Sequence, residues 1–226
     1  MTPPEPHLVH WRPAPWPEPV TLRGRYVTLE PLDGGRHGDA LWEAIRDHIQ
    51  LWNWMSIGPF NEKDEMMATL DRWRESERAL LFAIVPQSTG RAAGWASYMR
   101  IGPAHGVIEV GNVVFSPALQ RSRAATEAMF LMAAQVFDEL GYRRYEWKCD
   151  AQNLASRRAA ERLGFTFEGI FRQHMVAKGR NRDTAWFSML DREWAGRKRA
   201  FEAWLEPGNF DAEGCQRRAL EGLRQE

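Results

Sequence analysis

One stretch near the middle of the chain restricts the fold more than any other. Val107–Phe115 reads as a strand, and Ser116-Pro117 stops it. A long helix is expected over residues 121–140, because Ala125, Met129, Met132, Val136 and Leu140 recur at helical spacing. Gly141 supplies its C-terminal stop, and residues 142–149 form the next strand. Strand, helix and strand in that order make a β-α-β crossover, which sets two strands parallel in one sheet.

The flanking segments read differently. Strands are expected at 24–32, 80–85 and 91–101, the last two forming an antiparallel meander with Val107–Phe115. Helices are expected at 36–50, from Leu41, Ile45 and Ile49 on one face, and at 61–75, capped by Asn61 with Glu62, Asp64 and Glu65 at its positive end. Residues 51–60, LWNWMSIGPF, form a loop between them. A helix at 153–163 closes on Gly164; a hairpin of 165–177 with 184–190 turns at Lys178-Gly179-Arg180-Asn181; a last amphipathic helix covers 191–205.

A boundary inside this pattern would cut the meander. The expectation is therefore one mixed α/β domain over residues 21–191, with a mostly antiparallel twisted sheet flanked by helices. A proline-rich extension (1–20) precedes it, either disordered or laid along the domain through Trp11 and Trp16, and a C-terminal helical extension (192–226) follows.

Composition narrows the partners. Thirty basic and thirty acidic residues cancel, which argues against a nucleic-acid or anionic-membrane partner. No apolar run approaches the ~18 residues of a membrane span, and the N-terminus lacks a signal-peptide core. Two cysteines, Cys149 and Cys215, exclude a disulfide scaffold and a cysteine zinc site, and read as reduced thiols in the cytoplasm. Six scattered histidines form no H-x-x-x-H pair, so no metal site is expected. Of eleven tryptophans most belong in the core, while Trp52 and Trp54 sit on the loop and can wall a pocket.

Chemistry concentrates in residues 109–128, EVGNVVFSPALQRSRAATEA. A strand runs through a short turn into a helix with a first turn of small residues. Such a helix start offers unpaired N–H groups and positive dipole to a phosphate, with Ser122, Ala124, Ala125 and Thr126 keeping the approach open. Arg121 and Arg123 add charge. The same residues also serve as an ordinary helix start.

This stretch resembles the pyrophosphate loop of the GNAT superfamily of acetyl-CoA-dependent N-acetyltransferases, in particular the branch containing RimJ and RimL, the ribosomal-protein N-terminal acetyltransferases. Glu109 and Gly111 match the E-x-G strand start, Gln120 the opening of the Q/R-x-x-G-x-G/A loop, and Thr126-Glu127-Ala128 the helix. Arg123 departs from the pattern, standing where the first loop glycine is expected. If that position is simply a first helical residue, arginine fits it without strain; if it needs positive φ, the grip on the cofactor is compromised. Asn153-Leu154-Ala155-Ser156, then Arg162-Leu163-Gly164-Phe165, resemble the second family signature, continued by Glu168-Gly169, Arg172 and Arg182-Asp183. The resemblance spans residues 22–190.

It implies attack of a neutral amine, on a small molecule or a protein N-terminus, on the acetyl thioester, with one group removing a proton and another protonating the departing thiolate. Ser156 matches the family's acid toward the thiolate, and Asn153 would hold the pantetheine arm; both also suit the helix cap. Glu109 and His174 are the candidate bases, Glu109 being equally readable as a structural carboxylate and His174 as a packing residue. Backbone amides of Val113, Val114 and Phe115 are implied to pair with the pantetheine, and Gln120 to Thr126 to hold the pyrophosphate. Trp52, Trp54, Tyr98, Arg172 and Asp183 are candidates for the acceptor pocket. The alternative is a non-catalytic acyl-CoA-binding module, with Arg123 marking an altered loop. A homodimer is open to either.

Overall fold

The computed structural model describes residues 8, 10–76 and 79–224. Its sheet has eight strands in the order β1-β2-β3-β4-β5-β6-β8-β7. They are β1 (Leu22–Arg23), β2 (Val27–Pro31), β3 (Leu80–Pro86), β4 (Gly94–Gly102), β5 (Val107–Phe115), β6 (Arg144–Asp150), β7 (Thr166–Ala177) and β8 (Arg180–Leu190). Only β5 and β6 run parallel, joined through α3 (Arg123–Ala134), as the crossover in the sequence requires. Every other neighbouring pair is antiparallel.

Alternation along the strands builds two cores. Val27, Leu29, Phe82, Ile84, Tyr98, Val110, Tyr145, Phe187 and Met189 face α3, α4 (Leu154–Arg162) and α5 (Asp191–Leu205). Leu81, Ala83, Trp95, Met99 and Val114 face α1 (Gly34–Ile45) and α2 (Lys63–Ser76). Residues beyond α5 also enter the first core, through Phe210 and the Leu220 and Leu223 side chains of α6 (Leu220–Leu223). Residues 10–20 lie along the domain: Trp11 Nε1 donates to the Ala104 carbonyl at 3.0 Å, and Tyr142 Oη to the Pro15 carbonyl at 3.0 Å.

Several element ends differ from the sequence expectation. The first helix starts earlier, because Asp33 caps it by accepting from Arg36 N at 2.8 Å, and it stops at Ile45. A 3₁₀ turn, Ile49–Trp52, replaces its expected last turn. Asn61 is not seen to cap α2 with its side chain; Glu65 reaches back to accept from the Asn61 amide at 3.1 Å. The long crossover helix is two pieces, α3 and a π-helical turn, Gln135–Glu139. Tyr98 Oη lies at that junction, 2.7 Å from the Met132 carbonyl and 3.0 Å from Gln135 Oε1.

Candidate active site

The site begins where β5 and β6 separate. Their ladder runs from Val107↔Arg144 to Val110↔Trp147 and then ends. β5 bends there because it carries one residue more than β4 between Gly111 and Val114, with Asn112 at φ 52°. The bulge also moves β5 side chains across the sheet: Val110 packs in the α3 core and Val114 in the α1–α2 core. Beyond Val110, β5 still pairs with β4 while β6 pairs with β8, so a cleft opens at the carboxyl ends of two parallel strands. The Val113, Val114 and Phe115 backbone borders it.

Two helix N-termini follow the two strand ends. Ser122 caps α3, accepting from Ala125 N at 3.0 Å, and Asn153 caps α4, accepting from Ser156 N at 3.0 Å. The first-turn amides of Arg123 and Ala124 have no acceptor within the helix, which suits them to phosphate oxygens. Glu127 fixes this helix start to the sheet. It is 5% exposed and accepts from the amides of Arg25, Tyr26 and Val27 at 2.9, 2.5 and 2.9 Å.

Much of the expected cofactor loop shapes itself. Gln120 Nε2 donates to the Phe115 carbonyl, Ser122 Oγ to the Leu119 carbonyl, and Thr126 Oγ1 accepts from Arg162 Nη1. Arg123 is the first residue of α3 in ordinary helical backbone, so the missing glycine imposes no strain there; the positive φ of the loop, 57°, falls on exposed Arg121. The Arg123 guanidinium lies 4.9 Å from the Tyr26 ring centre and 4.6 Å from that of Phe210. Stacking holds the group without using its N–H edges. Nothing in the polar tail marks Phe210 as its partner from sequence.

On the α4 side of the sheet, Trp147 Nε1 donates to Ser156 Oγ at 3.0 Å. The buried Cys149 thiol also meets this hydroxyl, and burial raises its pKa. On the other face, charges alternate. Arg100 Nη1 grips Glu109 at 2.9 and 3.0 Å; Lys148 Nζ bridges Glu109 and Glu146 at 2.9 and 2.7 Å; Arg144 joins Glu146 to Glu168. Lys148 lies over the Trp186 ring at 3.7 Å, and Phe171 and His174 pack on the same ring. His174 Nδ1 is 2.9 Å from Thr184 Oγ1. The signal for this face was the period-two run Arg144, Glu146, Lys148 on a central strand.

The structure corrects two acceptor candidates. Tyr98 is fully buried against α3, and its hydroxyl is spent on Met132 and Gln135. Trp52 is 3% exposed and packs on Phe60 and Trp95; only its carbonyl reaches the hairpin, accepting from Lys178 Nζ at 2.8 Å. Trp54 is 43% exposed. Arg172 is exposed on β7, and Asp183 beside it accepts from the Gln173 amide and Asn181 Nδ2, bonds that hold its pKa down.

The sequence of the "Acetyltransferase (GNAT) domain" family matches residues 27–166, more than half of the chain. The chain belongs to the GNAT acetyltransferase family. A crystal structure of a GCN5-related N-acetyltransferase from Brucella melitensis superposes on this GNAT chain with a TM-score of 0.94 at 51% identity, covering 97% of this chain and 100% of that one. The uncharacterized N-acetyltransferase p20 of Bacillus licheniformis is 27% identical over 179 residues, 78% of this chain and 99% of its own length. The putative ribosomal N-acetyltransferase YdaF of Bacillus subtilis is 24% identical over 188 residues, 80% and 96% of the two lengths. The protein is an acetyltransferase, and its family uses acetyl-CoA. No helix among the described residues is long and apolar enough to cross a membrane.

Proposed function

We propose that this GNAT protein transfers acetyl from acetyl-CoA to a primary amine by direct attack within a ternary complex, and that its affinity is with the RimJ/RimL branch. One observation carries the reading: a cleft between diverging parallel strands ends on two capped helix N-termini, with a hydroxyl on one side and an imidazole on the other. The fit to acetyl-CoA rests on the free β5 backbone, the first-turn amides of α3 and the stacked Arg123. Val113 to Phe115 would pair with the pantetheine amides, and Asn153 would steady that arm. Gln120 to Thr126 would form the pyrophosphate turn, with Arg121 and Arg123 as its charges. Acetyl-CoA supplies an activated acetyl group and a thiolate leaving group.

The chain's own groups do the rest. His174 Nε2 takes the proton that the acceptor amine loses as its nitrogen bonds to the acetyl carbon. Ser156 Oγ–H gives a proton to the sulfur as the carbon–sulfur bond breaks. Glu109, gripped by Arg100 and Lys148, acts here as a charged anchor of the acceptor face. Trp54, Arg172 and Asp183 border the acceptor side. A protein N-terminus and a small amine both remain acceptors of this reading; the name of the YdaF relative points toward the former. The free thiols, Cys149 buried and Cys215 exposed, suit a reducing cytoplasm.

Calorimetry of acetyl-CoA on the wild-type protein and on Arg123→Glu tests the cofactor site. Binding that weakens at least about tenfold in the variant supports it, one factor of ten being about 1.4 kcal/mol. Absence of wild-type binding at millimolar acetyl-CoA would refute the reading.

A further inference from the structure

We infer that the acceptor is an amine that also carries an anionic group, a carboxylate or a phosphate, received by Arg182 of the β7–β8 hairpin; this rests on the transferase reading above. The hairpin's far half, residues 171–183, carries Arg172, His174, Lys178, Arg180 and Arg182 against a single acid, Asp183. In a chain of zero net charge, that is a local excess. Asp183 faces Arg172 and offsets that charge, which leaves Arg180 and Arg182. Its carboxylate is occupied by the Gln173 amide at 2.7 Å and Asn181 Nδ2 at 2.9 Å. Arg180 and Arg182 form no ion pair with any described carboxylate, whereas Arg100 and Arg144 on the same sheet are both paired.

Position adds direction to the charge. Arg182, Thr184 and Trp186 alternate onto one face of β8, opposite the buried Ala185 and Phe187. Trp186 contacts Lys148, Phe171 and His174, so this face is the acceptor side of the cleft. Arg182 Nε and Trp186 Nε1 are both buried and both lack a hydrogen-bond partner. Two orphaned donors four residues apart, flanking a Thr184 hydroxyl that already meets His174, suit a ligand rich in acceptor oxygens. A polyamine or another cationic amine meets the opposite: repulsion, and donors facing donors.

The test uses amines matched in size: O-phosphoethanolamine against ethanolamine, 4-aminobutyrate against 4-aminobutanamide, and an aspartyl against an asparaginyl tripeptide amide. Thiol release gives kcat/KM, and acetyl-CoA calorimetry on each sample checks the fold and the cofactor site. The expected result is a preference of about tenfold or more for an anionic member, which one good charge contact of ~1.4 kcal/mol gives. It should shrink with salt and fall toward unity in Arg182→Gln. The phosphate and carboxylate arms separate the two anion types. Equal rates within every pair, a neutral preference, a preference untouched by Arg182→Gln, or no turnover with acetyl-CoA still bound each overturn the inference. Loss of acetyl-CoA binding by the wild type instead strikes the transferase reading beneath it.

Discussion

The indole N–H of Trp147 ends on the hydroxyl of Ser156 at 3.0 Å. The hydroxyl oxygen accepts from the indole and its proton faces the Cys149 sulfur, from which it can turn to another thiolate. That is the arrangement an acid needs beside a departing thiolate. Ser156 also sits in the first turn of α4, where the helix dipole favours developing negative charge.

Ser156→Ala is expected to lower kcat about 10²-fold, the low end of general-acid contributions, with acetyl-CoA affinity unchanged. Trp147→Phe keeps the buried ring but removes the N–H. It should cost about fivefold in kcat, one hydrogen bond of ~1 kcal/mol, at unchanged KM. Steady-state kinetics with thiol detection read both. Acetyl thioesters of less basic thiols should narrow the Ser156→Ala deficit; an equal deficit for every leaving group would remove Ser156 from the acid role.

Glu109 and His174 are separable by their surroundings. Both Glu109 oxygens are held by cations, while His174 meets Thr184 through Nδ1 only. His174→Gln should abolish the base-dependent limb of the kcat/KM pH profile and lower kcat about 10²-fold. Glu109→Gln should keep that limb and lower thermal stability instead, since it leaves Lys148 and Arg100 short of charge in a buried network. A lost limb in Glu109→Gln with an intact one in His174→Gln reverses the assignment.

The crossover was legible because its helix carries a long periodic apolar stripe between two glycine- or proline-bounded strands. The loop position of Arg123 was legible only as a conditional, and backbone geometry resolves it in favour of a first helical residue. Trp52 and Tyr98 were misplaced for one reason. Residue type and loop position do not say toward which core a large ring turns, and each ring fills a core that forms only when distant strands pair. The partners of Arg123 and Ser156, Phe210 and Trp147, come from segments with no local signal for contact.

Glu127 offers a prediction about the cofactor helix rather than the chemistry. Its carboxylate takes three consecutive amides, two in the turn before β2 and one on Val27, the first residue of β2. Glu127→Ala leaves those amides without an acceptor beside a buried helix face. The expected cost is about 3 kcal/mol or more, hydrogen bonds to charged groups being worth ~1.5–3 kcal/mol each. Denaturant unfolding measures it. Because α3 also carries the phosphate amides, acetyl-CoA binding should weaken in the same variant.

The Glu168 carboxylate gives a pH dependence of known sign. Arg144 chiefly, and Ser188 next, hold its pKa below the ordinary value of 4.5. A depressed folded pKa means the unfolded chain binds the proton more readily. Its stabilisation is therefore complete above pH 4.5 and is lost as pH falls through the folded value. The pair is partly open to solvent, so screening keeps the effect modest. Glu168→Gln removes the titrating group. It should be less stable than wild type at pH 7, and its stability should fall less steeply below pH 4.5. Thermal melts across pH 3–7 at fixed ionic strength would show the two curves converging toward acid; parallel curves would mean that Arg144 gains nothing from the carboxylate.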